Sequence, residues 1–260
     1  MPFNAILLGA GGLPIYEVNI SSNRQSWKKS TDSTIPSNRP VIVRFTIEAG
    51  IVIQPTTAIN AVTFDALADD SIVEFVNLGF ALGRGGNGSA AGTHAIRANF
   101  NGRLRLTNAS GEIKGGGGGG GLGGGCLIWV PGDTAYESHA GGGGGGGGAG
   151  GGTKGSGGAG FGVGPDGDDG TDGTAGAAGT AGAGGQGGDS SAGDGGSGGA
   201  YGVAGSAGTN GVRHGGGPTD GNAAEAGGAG GVAGFAIKHD AGTEITWLSG
   251  EANKAGSVGT

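Results

Sequence analysis

The chain has 260 residues, of which 72 are glycine, and its formal net charge at pH 7 is −7. Residues 115–234 hold most of the negative charge, with two Lys or Arg residues against ten Asp or Glu residues. Such an acidic balance argues against a nucleic-acid or anionic-lipid partner, because either would require a basic surface. The single cysteine, Cys126, excludes an intramolecular disulfide framework and any multi-cysteine metal site.

The N-terminal residues 1–12 lack the basic flank and the long apolar run that a signal peptide needs. No stretch of the sequence approaches the roughly 20 apolar residues that span a bilayer. We therefore expect a protein that is made without a secretion signal and does not insert into a membrane.

Short β-strands are predicted for the first 114 residues, which we take as one β-rich domain, 1–114. Residues 71–82 and 102–113 look like two copies of one pattern, in which alternating apolar residues lead to an Asn and a Gly. The alignment places Asn77 opposite Asn108. Repeated short strands with Asn/Gly corners are typical of stacked β-rungs, as in a small β-helix or a sandwich.

Glycine occupies 56 of the 120 positions between 115 and 234. It recurs at every third position from Gly164 to Gly188 and again from Gly193 to Gly211. A period of three is that of an extended, left-handed polyproline II helix, and the scarcity of proline disfavours collagen. Such backbones can hydrogen-bond to one another if nothing larger than hydrogen lies between them. The pattern predicts a sandwich of left-handed polyglycine II helices with little or no α-helix.

The C-terminal residues 235–248 (FAIKHDAGTEITWL) have a strand–turn–strand pattern, with the turn at residues 240–242. We interpret them as a β-hairpin that closes the glycine-rich part of the chain. The second predicted domain is therefore 115–260, a polyglycine II sandwich with its closing hairpin.

Four loops interrupt the glycine runs, and their side chains are expected to reach solvent. The loops are residues 131–140, 165–172, 186–194 and 212–225. Aromatic, Arg and His side chains are typical anchors of protein interfaces. The candidates of this kind are Tyr136, His139, Tyr201, Arg213 and His214. The alternative is that such residues merely cover the helix ends.

The acidic loop between Asp166 and Asp172 invites a calcium site, but its spacing does not fit the EF-hand pattern. Solvated charge is the preferred interpretation, so no metal and no cofactor are predicted. The four histidines are scattered, and no metalloprotease, nucleophile-elbow or phosphate-loop motif occurs. The sequence therefore predicts a protein that is not an enzyme.

The combination of these parts resembles the receptor-recognising adhesins at the tip of the long tail fibres of T-even-type phages. Three features carry the resemblance: glycine runs alternating with short loops, a β-rich segment entering glycine at Lys114–Gly115, and the closing segment 235–248. It implies an adhesin at the distal fibre tip of the virion, whose loops bind a host outer-membrane protein such as a porin. It also implies that residues 1–114 dock on the trimeric distal subunit of the fibre. The candidate receptor-binding residues are then Tyr136, His139, Asp168, Tyr201, Arg213 and His214.

Other functions fit parts of the pattern. The same resemblance gives a chaperone for tail fibre assembly as an alternative function, because related phages carry such a protein in the equivalent gene. A glycine-rich antifreeze protein also uses such helices, but it would have a regular face and disulfides, which one cysteine and irregular charged loops disfavour. A disordered structural protein is disfavoured by the strand segments and by the strict glycine phase.

Overall fold

The chain folds into two compact units, each assembled from separated stretches of sequence. The first comprises residues 1–83, 94–115 and 235–260, and the second comprises residues 84–93 and 116–234. The computed structural model describes residues 7–8, 12–129, 137–140, 143, 145–153, 155–156, 171–177, 179–187, 192–211 and 225–260. The predicted functional division, with attachment in 1–114 and recognition in 115–260, stays a prediction.

The regular secondary structure of the described residues is β-strand, with short 3-10 turns at Lys29–Thr31 and Glu251–Asn253 and no α-helix. None of these helical turns could cross a membrane. The strands are β1 (Leu7–Leu8), β2 (Pro14–Ile20), β3 (Trp27–Lys28), β4 (Ile42–Ile47), β5 (Val52–Ile53), β6 (Val62–Asp65), β7 (Ser71–Asn77), β8 (Phe80–Leu82), β9 (Ile96–Asn99), β10 (Gly102–Thr107), β11 (Glu112–Lys114), β12 (Cys126–Trp129), β13 (Glu137–Ala140), β14 (Ile237–His239), β15 (Thr243–Ser249), β16 (Lys254–Ala255) and β17 (Val258–Gly259).

Three sheets build the first unit, in the orders β1-β2-β4-β7-β10-β15, β5-β8-β11-β16 and β3-β6-β9-β14-β17. Except for the antiparallel pair β1–β2, neighbouring strands in these sheets are parallel. The chain therefore winds as a coil, and each rung gives one strand to each sheet. Complete rungs are β4-β5-β6, β7-β8-β9, β10-β11-β14 and β15-β16-β17. The predicted stacking of rungs is confirmed.

The core of the first unit lies inside this coil, because alternate residues of each strand point inward. In β4, β6 and β7 the inward residues include Phe45, Phe64 and Phe75, which are fully buried. The rings of Phe45 and Phe75 stack with centroids 5.4 Å apart, and Trp27 contacts Phe45 at 4.7 Å. Phe45 and Phe75 occupy equivalent positions of successive rungs, and with Trp27 and Phe64 they form one aromatic cluster inside the coil.

The corner asparagines form a buried ladder between rungs. The Asn77 amide donates to Oδ1 of Asn108 at 2.8 Å and to the Glu112 carbonyl at 3.1 Å. Asn108 in turn donates to the Gly250 and Asn253 carbonyls, both at 3.2 Å. These bonds satisfy polar groups that would otherwise be costly to bury. They explain why the sequence repeats an Asn at this corner.

The predicted fold class is wrong. That prediction was a β-rich N-terminal attachment domain followed by a C-terminal sandwich of left-handed polyglycine II helices, closed by a β-hairpin. The structure is instead a β-rich fold of parallel sheets, and it is not a closed polyglycine sandwich. The C-terminal strands complete the coil, since β14 pairs with β9 and β17 whereas β15 pairs with β10.

The closing hairpin was predicted wrongly because a strand–turn–strand pattern specifies a bend but not the partner of each strand. The turn after Asp240 carries the chain from one sheet to the next, and the Thr243 hydroxyl donates to the Phe100 carbonyl of the preceding rung. β15 pairs with β10 along one of its edges, and β14 pairs with strands of a different sheet, so the two strands do not pair with each other.

His94 occupies an apolar site in the first unit. Its Nδ1 accepts a hydrogen bond from the Phe235 backbone N–H at 3.0 Å, and the two rings lie edge to face at 5.4 Å. Burial, together with the positive charges of Arg97 and Lys238, lowers the pKa of His94 to about 4. The folded protein therefore holds His94 neutral.

We predict that His94 makes the stability of the first unit depend on pH. In the unfolded chain its pKa is near 6.5, so between pH 6.5 and about 4 the unfolded state binds more protons and stability falls as pH falls. Denaturant unfolding at several pH values should show a steeper loss for the wild type than for His94→Asn. The asparagine oxygen can still accept from Phe235 but cannot titrate. Parallel pH curves for the two proteins would contradict this prediction.

Candidate functional site

Residues 116–125 run through the interior of the second unit, surrounded by other extended segments. The N–H groups of Gly117, Gly120 and Gly123 donate to the carbonyls of Ala149, Gly146 and Gly143 at 2.8–3.1 Å. The partner numbers fall as the donor numbers rise, so residues 143–149 run antiparallel to residues 116–125. One residue in three faces each neighbour.

The other faces of the same segment are paired in the same way. The N–H groups of Gly118, Gly121 and Gly124 donate to Val203, Ser206 and Thr209, and their carbonyls accept from Gly199, Gly196 and Gly193. A further antiparallel neighbour, residues 225–234, donates to the carbonyls of Gly116, Gly119, Leu122 and Gly125. Residues 203–209 therefore run parallel to the central segment, whereas 193–199 and 225–234 run antiparallel to it.

Close lateral packing explains the glycine content of this segment. A Cβ added to Gly118 would lie 1.8 Å from the Gly231 carbonyl oxygen, and one added to Gly121 would lie 1.9 Å from that of Gly228. These distances are far inside van der Waals contact, so no other residue fits without separating the segments. Gly228 itself is different, because its added Cβ would meet nothing closer than the Leu122 nitrogen at 3.3 Å.

We predict that Gly118→Ala and Gly228→Ala, which are chemically identical changes, have very different effects. Gly118→Ala should lower the free energy of unfolding of this unit by about 3 kcal/mol, as expected for severe overpacking. Gly228→Ala should leave it unchanged or raise it by up to about 1 kcal/mol, because alanine restricts the unfolded chain. Thermal unfolding and amide hydrogen exchange of the two variants measure the difference. Equal stability of the two would contradict the packing described.

The hydrogen-bond register places four connections, three of them longer than ten residues, at one end of the unit. Gly143 lies beside Gly123, Gly155 beside Gly145, Thr171 beside Gln186, Gly193 beside Gly124, and Glu225 beside Gly125. This end, which we call the segment end, therefore carries the described residues that flank four connecting segments. The connecting segments are residues 126–142, 157–170, 188–191 and 212–224.

The opposite end, which we call the turn end, is made differently. Its connections include tight turns whose glycines adopt positive φ: Gly150 and Gly151 (102° and 83°), Gly179 (82°) and Gly202 (68°). The residues at which the chain enters or leaves the unit also lie there, since Gly116 donates to Thr93, Thr93 to Arg84, and Gly234 to Gly116. The two ends thus differ in the amount of chain that they expose.

Part of the first connecting segment is described. Strands β12 and β13 pair antiparallel, with Leu127 opposite His139 and Trp129 opposite Glu137. The predicted residue His139 is therefore held in a hairpin that leaves from the segment end. No group of three or more metal-ligating His, Cys, Asp or Glu side chains occurs among the described residues.

The predicted site residues do not all share one location. Tyr136, Asp168, Arg213 and His214, like the aspartates of the acidic loop before residue 171, lie outside the described residues. The connecting segments that contain them begin and end at the segment end. Tyr201 is half-buried at the turn end, beside Gly202. The role of each of the six residues in receptor binding stays a prediction.

Comparison with known proteins bears directly on the function. A family model described as "Phage tail fibre adhesin Gp38" matches residues 15–259, almost the whole chain. The chain belongs to this family of adhesins. It is therefore a receptor-binding adhesin of a phage tail fibre and a component of the virion, and the resemblance seen in the sequence is confirmed.

The fold of this adhesin also resembles a solved structure. The match is to a chain in the crystal structure of the gp37-gp38 adhesin tip complex of the bacteriophage S16 long tail fibre, with 24% sequence identity and a TM-score of 0.54. It covers 93% of the present chain and 81% of the S16 chain. Among curated protein sequences, none matches significantly.

Proposed function

We propose that this adhesin binds a protein of the host outer membrane, such as a porin, through the four connecting segments. The asymmetry of the glycine-rich unit carries the proposal. Long connections rich in polar and aromatic residues leave from the segment end, whereas the turn end has tight glycine turns. Loops held by a rigid scaffold are the usual place for recognition.

Side-chain chemistry supports the same assignment. The interior segments consist mostly of glycines whose backbone groups are hydrogen-bonded to one another, so they offer few side chains that could distinguish receptors. The connecting segments contain Tyr136, His139, Arg213 and His214, residue types that are frequent anchors of binding energy. Asp168 and its acidic neighbours add charge that could select a basic patch on the receptor.

We predict that exchanging residues 131–136, 157–170 and 212–224 for those of a related adhesin changes the set of bacterial strains bound. Thermal stability should stay within a few degrees, because the hydrogen-bonded segments are untouched. Binding of the purified protein to strains that each lack one porin measures the change. Unaltered binding after all three exchanges would exclude the exchanged residues from receptor recognition.

The chain offers a matched pair of tyrosines for a finer test of this proposal. Tyr136 lies in a connecting segment and Tyr201 at the turn end. Tyr136→Ser should reduce binding more than Tyr201→Ser if recognition occurs at the segment end. An equal or larger loss for Tyr201→Ser, at unchanged thermal stability, would place the receptor surface elsewhere.

We infer that the first unit, which contains most of residues 1–114, attaches the adhesin to the trimeric distal subunit of the fibre. The support comes from the last rung. Ile245, Trp247 and Val258 of that rung are only partly buried against the core, and Leu248 is 63% exposed. Tyr16, Val18 and Ile20 of β2, by contrast, are at most 8% exposed. An incompletely covered coil end with open strand edges is a surface suited to pairing with another β-structured chain.

The prediction for attachment compares two exposed apolar residues. Leu248→Lys should weaken co-purification of the adhesin with the fibre subunit, because it puts a charge into the apolar end of the coil. Ile59→Lys alters a residue that is 45% exposed but lies outside the last rung, so it should leave co-purification intact. If both variants, or neither, lose the fibre subunit, attachment does not use the last rung.

We further infer that the protein lies at the distal tip of the fibre and acts by binding rather than by catalysis. The similarity to a chain of the S16 adhesin tip complex supports the location, and the family description, a tail fibre adhesin, supports the binding role. Incubation of the purified adhesin with outer membranes of a susceptible strain should therefore release no fragments of protein or polysaccharide.

A further inference from the structure

We propose that side chains at the base of the connecting segments are positioning residues that fix how these segments face the receptor. This inference rests on the proposed function of the segments. The residues, which we call the base set, are Thr171, Asp194, Thr209, Asn210 and Glu225. Each uses a side-chain oxygen to accept a backbone N–H of a neighbouring chain segment at the segment end.

Glu225 joins two connecting segments. Its backbone N–H donates to the Gly125 carbonyl at 3.0 Å, and its Oε2 accepts the Gly125 N–H at 3.3 Å. Gly125 is the last residue before segment 126–142, and Glu225 is the first residue after segment 212–224. The two bonds form a reciprocal clamp, so the exit of one segment fixes the entry of the other.

Asn210 and Asp194 close individual segments. Asn210 Oδ1 accepts the Gly227 N–H at 2.9 Å, which ties together the residues before and after segment 212–224. Asp194 Oδ1 accepts the Gly187 N–H at 3.0 Å, which does the same for segment 188–191. The ends of both segments are thereby held at a fixed separation.

The two threonines connect neighbouring segments through their hydroxyls. Thr171 Oγ1 accepts the Gln186 N–H at 2.7 Å, which links the end of segment 157–170 to the start of segment 188–191. Thr209 Oγ1 accepts the Asp194 N–H at 2.7 Å, which links the other side of segment 188–191 to residues that precede segment 212–224. The base set thus forms hydrogen bonds with residues that flank all four connecting segments.

A positioning role differs from a purely structural one in what it changes. Four of the five base-set bonds are exposed, and the bond between Glu225 and Gly125 is partly buried. Loss of one of these bonds should therefore affect global stability little compared with overlap at a buried glycine. Loss of such a bond, however, frees the ends of a recognition segment. That segment must then be ordered when the receptor binds, and this cost lowers the affinity of the adhesin for the receptor. Affinity should therefore fall while the melting temperature is nearly unchanged.

The chain supplies a matched control for this distinction. Thr174 makes the same bond as Thr171, with its Oγ1 accepting the Ala183 N–H at 2.7 Å, but it lies three residues further from the segment end. Both threonines are exposed. Thr171→Val and Thr174→Val therefore remove equivalent hydrogen bonds at different distances from the recognition segments.

The experiment measures binding of full-length variants to outer-membrane vesicles from a strain that the wild-type adhesin binds. Glu225→Met, which keeps the length but not the acceptor, should bind about tenfold more weakly, whereas Glu225→Gln should bind nearly as well as the wild type. Thr171→Val should weaken binding about threefold to tenfold, and Thr174→Val should not. Melting temperatures of all four variants should stay within a few degrees of the wild type.

Wild-type affinity for both Glu225→Met and Thr171→Val would overturn the proposal, and so would equal losses for Thr171→Val and Thr174→Val. If Glu225→Met fails to fold, the threonine pair decides. The exchange of segment 212–224 distinguishes failure of the positioning proposal from failure of the proposed function. If that exchange alters vesicle binding but Glu225→Met does not, the segment recognises the receptor without the positioning that we propose.

Discussion

Lateral hydrogen bonding between backbones that lie side by side is the interaction on which both units of this adhesin depend. In the first unit these hydrogen bonds join parallel strands whose side chains fill an apolar interior. In the second unit they join extended segments that pack too closely for a side chain wherever a glycine faces a neighbouring segment. A backbone group left unpaired inside either unit would cost free energy comparable to a lost hydrogen bond.

Because of this constraint, the packed segments and the connections of the second unit differ in the side chains that they can carry. Glycine is required where segments surround one another, because an added Cβ would overlap a neighbouring carbonyl. We therefore propose that the side chains that recognise a receptor lie in the connections between segments. The structure gathers the flanks of four such connections at one end, and hydroxyl, carboxylate and amide oxygens there replace part of the backbone pairing. A rigid interior can in this way carry exchangeable recognition segments.

Particular residues show which features could be predicted. The alignment of Asn77 with Asn108 was visible because a corner that buries hydrogen-bonded amides in two successive rungs needs the same residue in both. The hairpin at residues 235–248 was predicted wrongly because local alternation and a turn do not identify the partner strand. The base set was missed altogether. Thr171, Asn210 and Glu225 are ordinary polar residues in the sequence, and only their position at a segment end gives them partners.

The sequence by itself determined the family, the β-rich character of the early residues and the need for closely packed backbones where glycine is continuous. These properties follow from local composition and period, which any stretch of chain carries with it. Only the tertiary structure decided that the C-terminal residues complete the parallel sheets and that four connections share one end while Tyr201 lies at the other. Those facts depend on how many times the chain reverses direction and on which backbones pair, and both are set by contacts between residues distant in sequence.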